Sequence, residues 1–102
     1  VSSECIIEST EPEQFVLRGE LTFATVMGLS RSSSAQLWQD GAVTLDLAGV
    51  TRTDSAGLAL LVEWIRIARR KGKSIQFRNI PEQMMAVAQV AGIADLLPVA
   101  AQ

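Results

Sequence analysis

Thr53-Asp54-Ser55-Ala56-Gly57 is the stretch of this chain whose residue types and spacing come nearest to chemistry. It places a hydroxyl and a carboxylate at the opening of a helix, and it resembles the nucleophile elbow G-x-S-x-G, which also sits at a strand-to-helix turn. The first glycine of that pattern is absent, however, and the chain contains no histidine to activate Ser55 as a base. Lys71 and Lys73 are the remaining bases downstream, but they stand at the far end of the same expected helix, about 25 Å away at 1.5 Å per residue. A Ser55-dependent hydrolase is therefore disfavoured. Gly72-Lys73-Ser74 suggests a phosphate loop, but that pattern needs a glycine where Ile67 stands. Neither a catalytic residue nor a cofactor or metal site is expected.

What remains for the turn is binding. A helix N-terminus presents free backbone amides, favours anions and accepts added phosphate. Asp54 occupies the capping position and Ser55 the first turn, which also fits a simple helix cap. Ser55 is a candidate regulatory hydroxyl.

The elements that must position this turn follow from apolar spacing. Cys5-Ile6-Ile7 and Phe15-Val16-Leu17 flank Ser9 to Glu13 and read as two antiparallel strands, the second ending at Gly19. Phe23, Val26, Met27, Leu37 and Trp38 fit a helical period across 23–38, with a poor or broken centre at Ser30, Ser32, Ser33 and Ser34. Val43, Leu45 and Leu47 alternate with Thr44 and Asp46 in a third strand, and a loop from Gly49 to Thr53 follows. The strongest helix runs from Ser55 to about Lys71; Arg69, Arg70 and Lys71 meet the negative end of its dipole and Gly72 ends it. Ile75 and Phe77 mark a fourth strand. Pro81 opens a last helix with Met84, Val87, Ala88 and Ala91 on its core face, and Leu96 and Leu97 tuck back before Pro98.

This order predicts one α/β domain over residues 1–102, with a mixed sheet of four to five strands and helices mainly on one face. The unit from Ala42 to Asn79 should be a right-handed crossover between parallel strands. On the strongest helix Leu58, Leu61, Val62, Ile65 and Ala68 form a stripe toward the sheet. Leu60, Trp64 and Ile67 form a second stripe, which either docks a partner or packs on a neighbouring helix of the same domain. Under the docking alternative Trp64 is partly exposed and acts as an anchor.

Composition narrows the partner. The chain has 102 residues, 48% of them hydrophobic, and a formal charge of −2, so it carries no overall basic field for nucleic acid or an anionic membrane. The one cysteine, Cys5, fits a reducing compartment and a small buried strand position. Ala56 to Ala68 is interrupted by Glu63 and Arg66 and is too short to span a bilayer, and no signal peptide is visible.

The run from Leu45-Asp46-Leu47 through Val50 to Asp54-Ser55-Ala56-Gly57 resembles the central motif of STAS domains, and Gly19-Glu20-Leu21 matches that family's earlier Gly-Glu-Leu element. Asp54-Ser55-Ala56-Gly57-Leu58-Ala59-Leu60-Leu61 is most similar to the MlaB-type stand-alone STAS subunits of Mla phospholipid ABC transporters. The resemblance implies a non-catalytic cytoplasmic subunit, peripheral to the inner membrane through its complex. It would bind and stabilise or regulate an MlaF-like ATPase that helps maintain outer-membrane lipid asymmetry. A docking surface is expected at Thr53, Asp54, Ser55, Ala56, Gly57 and Leu58, extended under the docking alternative by the helical stripe of Leu60, Trp64 and Ile67. The alternative within the family is an anti-sigma-factor antagonist, whose partner is a serine kinase. Those antagonists carry their regulatory phosphoserine immediately before the motif glycine, where this chain has Ala56. Constitutive docking is thus expected over a kinase-driven exchange.

Overall fold

The computed structural model describes residues 4–100. Four strands, β1 (Cys5–Glu11), β2 (Gln14–Leu21), β3 (Ala42–Thr53) and β4 (Ser74–Arg78), form one sheet in the order β1-β2-β3-β4. β1 and β2 are antiparallel; β2–β3 and β3–β4 are parallel. Helices α1 (Val26–Gln36), α2 (Ser55–Arg70) and α3 (Glu82–Val90) connect or follow them, with a short 3-10 turn at Ala94–Leu96. The mixed sheet expected from the sequence is present, with four strands. The C-terminal stretch adds a single parallel bridge, Val99 to Phe77, at the β4 edge.

Strand periodicity places the core. Phe15 and Leu17, then Val43, Leu45 and Leu47, then Ile75 and Phe77 are buried, while Arg18, Gln76 and Arg78 between them are exposed. One sheet face therefore carries the apolar load, and the helices cover it with Leu29, Leu58, Leu61, Trp64, Met84 and Ala88. Cys5 is half-buried, and burial pushes its thiol up to about 11. It stays protonated and packs as a small hydrophobe.

Several expectations change at element boundaries. Gly19 does not end β2, which continues to Leu21, and the stretch Gly49–Thr53 is strand, not loop. It pairs in parallel with the second half of β2 as far as Leu21 opposite Thr53, after two register shifts. Close approach makes this pairing workable: a Cβ on Gly49 would lie 2.7 Å from the Leu17 carbonyl oxygen.

The serine-rich centre of α1 does not break. Ser32, Ser33 and Ser34 turn their hydroxyls back onto the carbonyls of Leu29, Ser30 and Arg31 at 3.0–3.2 Å, so the helix satisfies them internally. On α3 the core face is narrower than its period suggests. Met84 and Ala88 are buried, whereas Val87 and Ala91 are exposed, and of the pair that follows only Leu97 is buried.

Candidate docking site at the start of α2

The site is built on the junction where β3 ends and α2 begins. Asp54, in extended conformation, caps α2 with Oδ1, accepting from the amides of Ala56 at 2.9 Å and Gly57 at 3.2 Å. Its Oδ2 accepts from the amide of Phe23 at 3.1 Å. One carboxylate thus ties the β3–α2 turn to the β2–α1 connector, 31 residues earlier. The Phe23 amide is the main reason the Asp54 carboxyl sits below its usual value. Desolvation opposes the shift but is the smaller effect, and the Gly57 and Ala56 amides and the Arg52 charge lower the carboxyl further.

Gly57 is required by sterics. A Cβ there would lie 2.4 Å from the Leu21 carbonyl oxygen and 2.9 Å from Thr53 Oγ1. The first turn of α2 therefore packs directly on the end of β2, with Ser55 exposed and Ala56 half-buried beside α1. The connector itself is held by internal hydrogen bonds. Thr25, which is buried, donates through Oγ1 to the Glu20 carbonyl at 2.6 Å and accepts from the Thr22 amide at 3.1 Å.

This frame presents an apolar surface. Phe23 is 82% exposed and Met27 is 67% exposed. Val26, Met27 and Ser30 of α1 and Ala56, Ala59 and Leu60 of α2 line an open groove between the two helices. A second open groove, bordered by Ser55, Leu58, Val62 and Ile93, lies on the other side of α2. Ser55 and Ala59 form the ridge between them.

The expected site residues divide accordingly. Asp54 and Ser55 are exposed at the turn, Thr53 and Ala56 are half-buried, and Gly57 and Leu58 are buried beneath them. The second stripe is corrected. Trp64 has no exposed surface, Leu60 is 6% exposed, and Ile67 is only partly accessible and packs on the core. Trp64 Nε1 donates to Ser33 Oγ of α1 at 3.1 Å. The wide apolar arc of α2 is thus used inside the domain, because α1 as well as the sheet packs against it, and Trp64 cannot anchor a partner on the isolated fold. Sequence reasoning missed Phe23 and Met27 as surface residues, reading them only as members of a helical apolar period. The core side is instead Leu29, Ser33 and Leu37, spaced four apart, and the available signal was that spacing with a serine at its centre.

Among the described residues, none is hydrogen-bonded to the Ser55 hydroxyl as an acid or base. The Lys73 ammonium donates to the Asp40 carbonyl at 2.6 Å, and no group of His, Cys, Asp or Glu among the described residues could hold a metal ion. No helix among them is long and apolar enough to cross a membrane. The arrangement is suited to holding an apolar patch in a fixed position.

Comparison with known proteins agrees with this geometry. The chain is 32% identical over 59 residues to the intermembrane phospholipid transport system binding protein MlaB of Escherichia coli (strain K12), a match covering 57% of this chain and 61% of the relative. It is 28% identical over 79 residues to the MlaB of Haemophilus influenzae, covering 66% and 75% of the two chains. Among solved structures it resembles the anti-sigma factor antagonist SpoIIAA in its unphosphorylated form, with a TM-score of 0.69, 20% identity and coverage of 96% and 89%. It also resembles part of the murine anion transporter Slc26a9, with a TM-score of 0.65, 17% identity and coverage of 92% of this chain and 19% of the transporter. These structural likenesses show a shared fold. The family described as "Mlab, STAS domain" matches residues 8–98, and with nearly all of the chain inside that match, the chain belongs to this STAS-domain family.

Proposed function

We propose that the chain is a non-catalytic STAS subunit of an intermembrane phospholipid transport system, and that it binds and stabilises or regulates the transporter's ATPase through the face around Ser55. The observation that carries this reading is the Asp54 clamp, which holds the exposed Phe23 beside the start of α2. Names of relatives that span little more than half of this chain supply the transport system. The fixed apolar patch supplies the means of docking. In this reading the protein is cytoplasmic, held at the inner membrane by its complex, and contributes to outer-membrane lipid asymmetry without touching lipid. Ala56 offers no hydroxyl before the motif glycine, so docking is constitutive.

The test is co-purification with the ATPase subunit of the host's transporter. Ser55→Ala should bind nearly as wild type, since a hydroxyl on an exposed turn is a small loss. Ser55→Arg should abolish binding while the domain stays folded, because its bulk stands on the ridge between the two grooves. Equal recovery of the ATPase by wild type and Ser55→Arg would remove this turn from the interface.

A further inference from the structure

Residues 63–73 hold five of the nine cations of the chain, Arg66, Arg69, Arg70, Lys71 and Lys73, and only one of its eleven carboxylates, Glu63. That end of α2 is therefore +4, while the rest of the chain, with four cations and ten carboxylates, is −6. The helix dipole does not account for so much charge, since it amounts to about half an elementary charge at each terminus. The last carbonyls of α2 do not require it either. Those of Ile67, Ala68 and Arg69 already accept from the amides of Lys71, Lys73 and Gly72, in a turn that Gly72 permits at φ +68. Neutralisation is slight: Arg66 and Arg70 share Glu63 through contacts of 3.8 and 3.7 Å, and both arginine side chains are 71% exposed. Among the described residues, only Lys73 of these five is engaged elsewhere, on the Asp40 carbonyl.

The cations continue the docking ridge. At 100° per residue Ser55, Ala59, Val62, Arg66, Arg69 and Arg70 fall on one side of α2, about 20 Å from first to last. Glu63 and Arg66 also border the groove that begins at Ser55 and Leu58. We infer that this ridge is one bipartite surface, apolar at its start and cationic at its end, and that the cationic end receives an acidic segment of the same ATPase that covers Ser55. The inference rests on the proposed function. A protein surface fits better than a lipid one because the charge is continuous with the open groove at Ser55 and Leu58, where the ATPase is proposed to dock. Exposed charge at the rim of an interface acts mainly on association rate and salt dependence.

The experiment measures association of the purified ATPase subunit with wild type, Arg66→Gln/Arg69→Gln and Arg66→Glu/Arg69→Glu at about 50 and 500 mM salt. Wild type should associate at least about tenfold more slowly at high salt, and the charge-reversed variant should be at least about tenfold slower at low salt with little salt dependence left. The glutamine variant, which adds no repulsion at the helix end, should fall between them with an unchanged thermal midpoint. Wild-type rates and salt response in the glutamine and glutamate variants would overturn the inference while leaving the Ser55 face standing. Salt-sensitive binding that survives Ser55→Arg would instead overturn the reading of the turn. Sedimentation of the chain with phosphatidylglycerol vesicles, lost in the glutamine variant while ATPase association is unchanged, would assign the cations to the membrane and also overturn it.

Discussion

Trp64 and Ser33, 31 residues apart, meet in the core through a 3.1 Å hydrogen bond from the indole Nε1 to the serine Oγ. Ser33 in turn donates to the Ser30 carbonyl at 3.0 Å. The largest fully buried side chain thus finds the one partner its polar atom needs, and the bond ties α1 to α2. Trp64→Ala should cost about 3–5 kcal/mol of folding stability. Ser33→Ala, which strands a buried N–H, should cost about 1–3 kcal/mol. Urea melts followed by circular dichroism decide the matter; a near-wild-type Trp64→Ala would show that Trp64 is not the core residue described above.

Two glycines of the helices should respond in opposite directions. Gly57→Ala drives a methyl toward the Leu21 carbonyl oxygen and Thr53 Oγ1, and overpacking of that kind typically costs about 1–3 kcal/mol. Gly28, on the exposed side of α1, has nothing within 4 Å of an added Cβ, so Gly28→Ala should stabilise the protein by up to about 1 kcal/mol. Thermal midpoints of the two variants should move apart; a shared direction would contradict the packing at the α2 opening.

Asp54 makes stability depend on acid. Its carboxyl titrates below its ordinary value of 3.8 when folded, chiefly because the Phe23 amide donates to it. The folded state therefore favours the ionised form. The stability this contributes is fully present above the unfolded value and is lost as pH falls through the lowered folded one. Asp54→Asn keeps an oxygen for the α2 amides but loses the charge and the second acceptor. Wild type should exceed it in stability at pH 7, and the gap should close between about pH 5 and pH 2. Asp54→Ala, with no cap at all, should lose about 1–2 kcal/mol. A wild-type advantage over Asp54→Asn that stays constant down to pH 2 would refute the clamp.

Phe23 offers the cleanest separation of binding from folding. It is 82% exposed, so Phe23→Ala should leave the thermal midpoint within about 1 °C while weakening ATPase association by about 2 kcal/mol, as for an interface anchor. Wild-type affinity in this variant, measured by calorimetry, would move the docking face off the β2–α1 connector.

Local periodicity was enough to order the elements and to mark the turn where β3 gives way to α2. The alternation of Val43, Leu45 and Leu47 marked β3, Asp54 marked the start of α2, and Gly72 marked its end, because each of these signals acts within a few residues of chain. Tertiary contact decided which apolar side chains face outward. Phe23 and Met27 sit at helical spacing with Val26 and look like core, yet the core stripe of α1 passes through Ser33. That serine is buried because Trp64, remote in sequence, requires an acceptor there. The second stripe of α2 likewise left a partner and a neighbouring helix as alternatives, and the packing of α1 against α2 decides between them. Gly49 to Thr53 reads as loop in isolation and becomes strand only because β2 supplies parallel partners as far as Leu21. Pairing and burial of this kind depend on what the rest of the chain brings alongside, and no window of neighbouring residues contains that information.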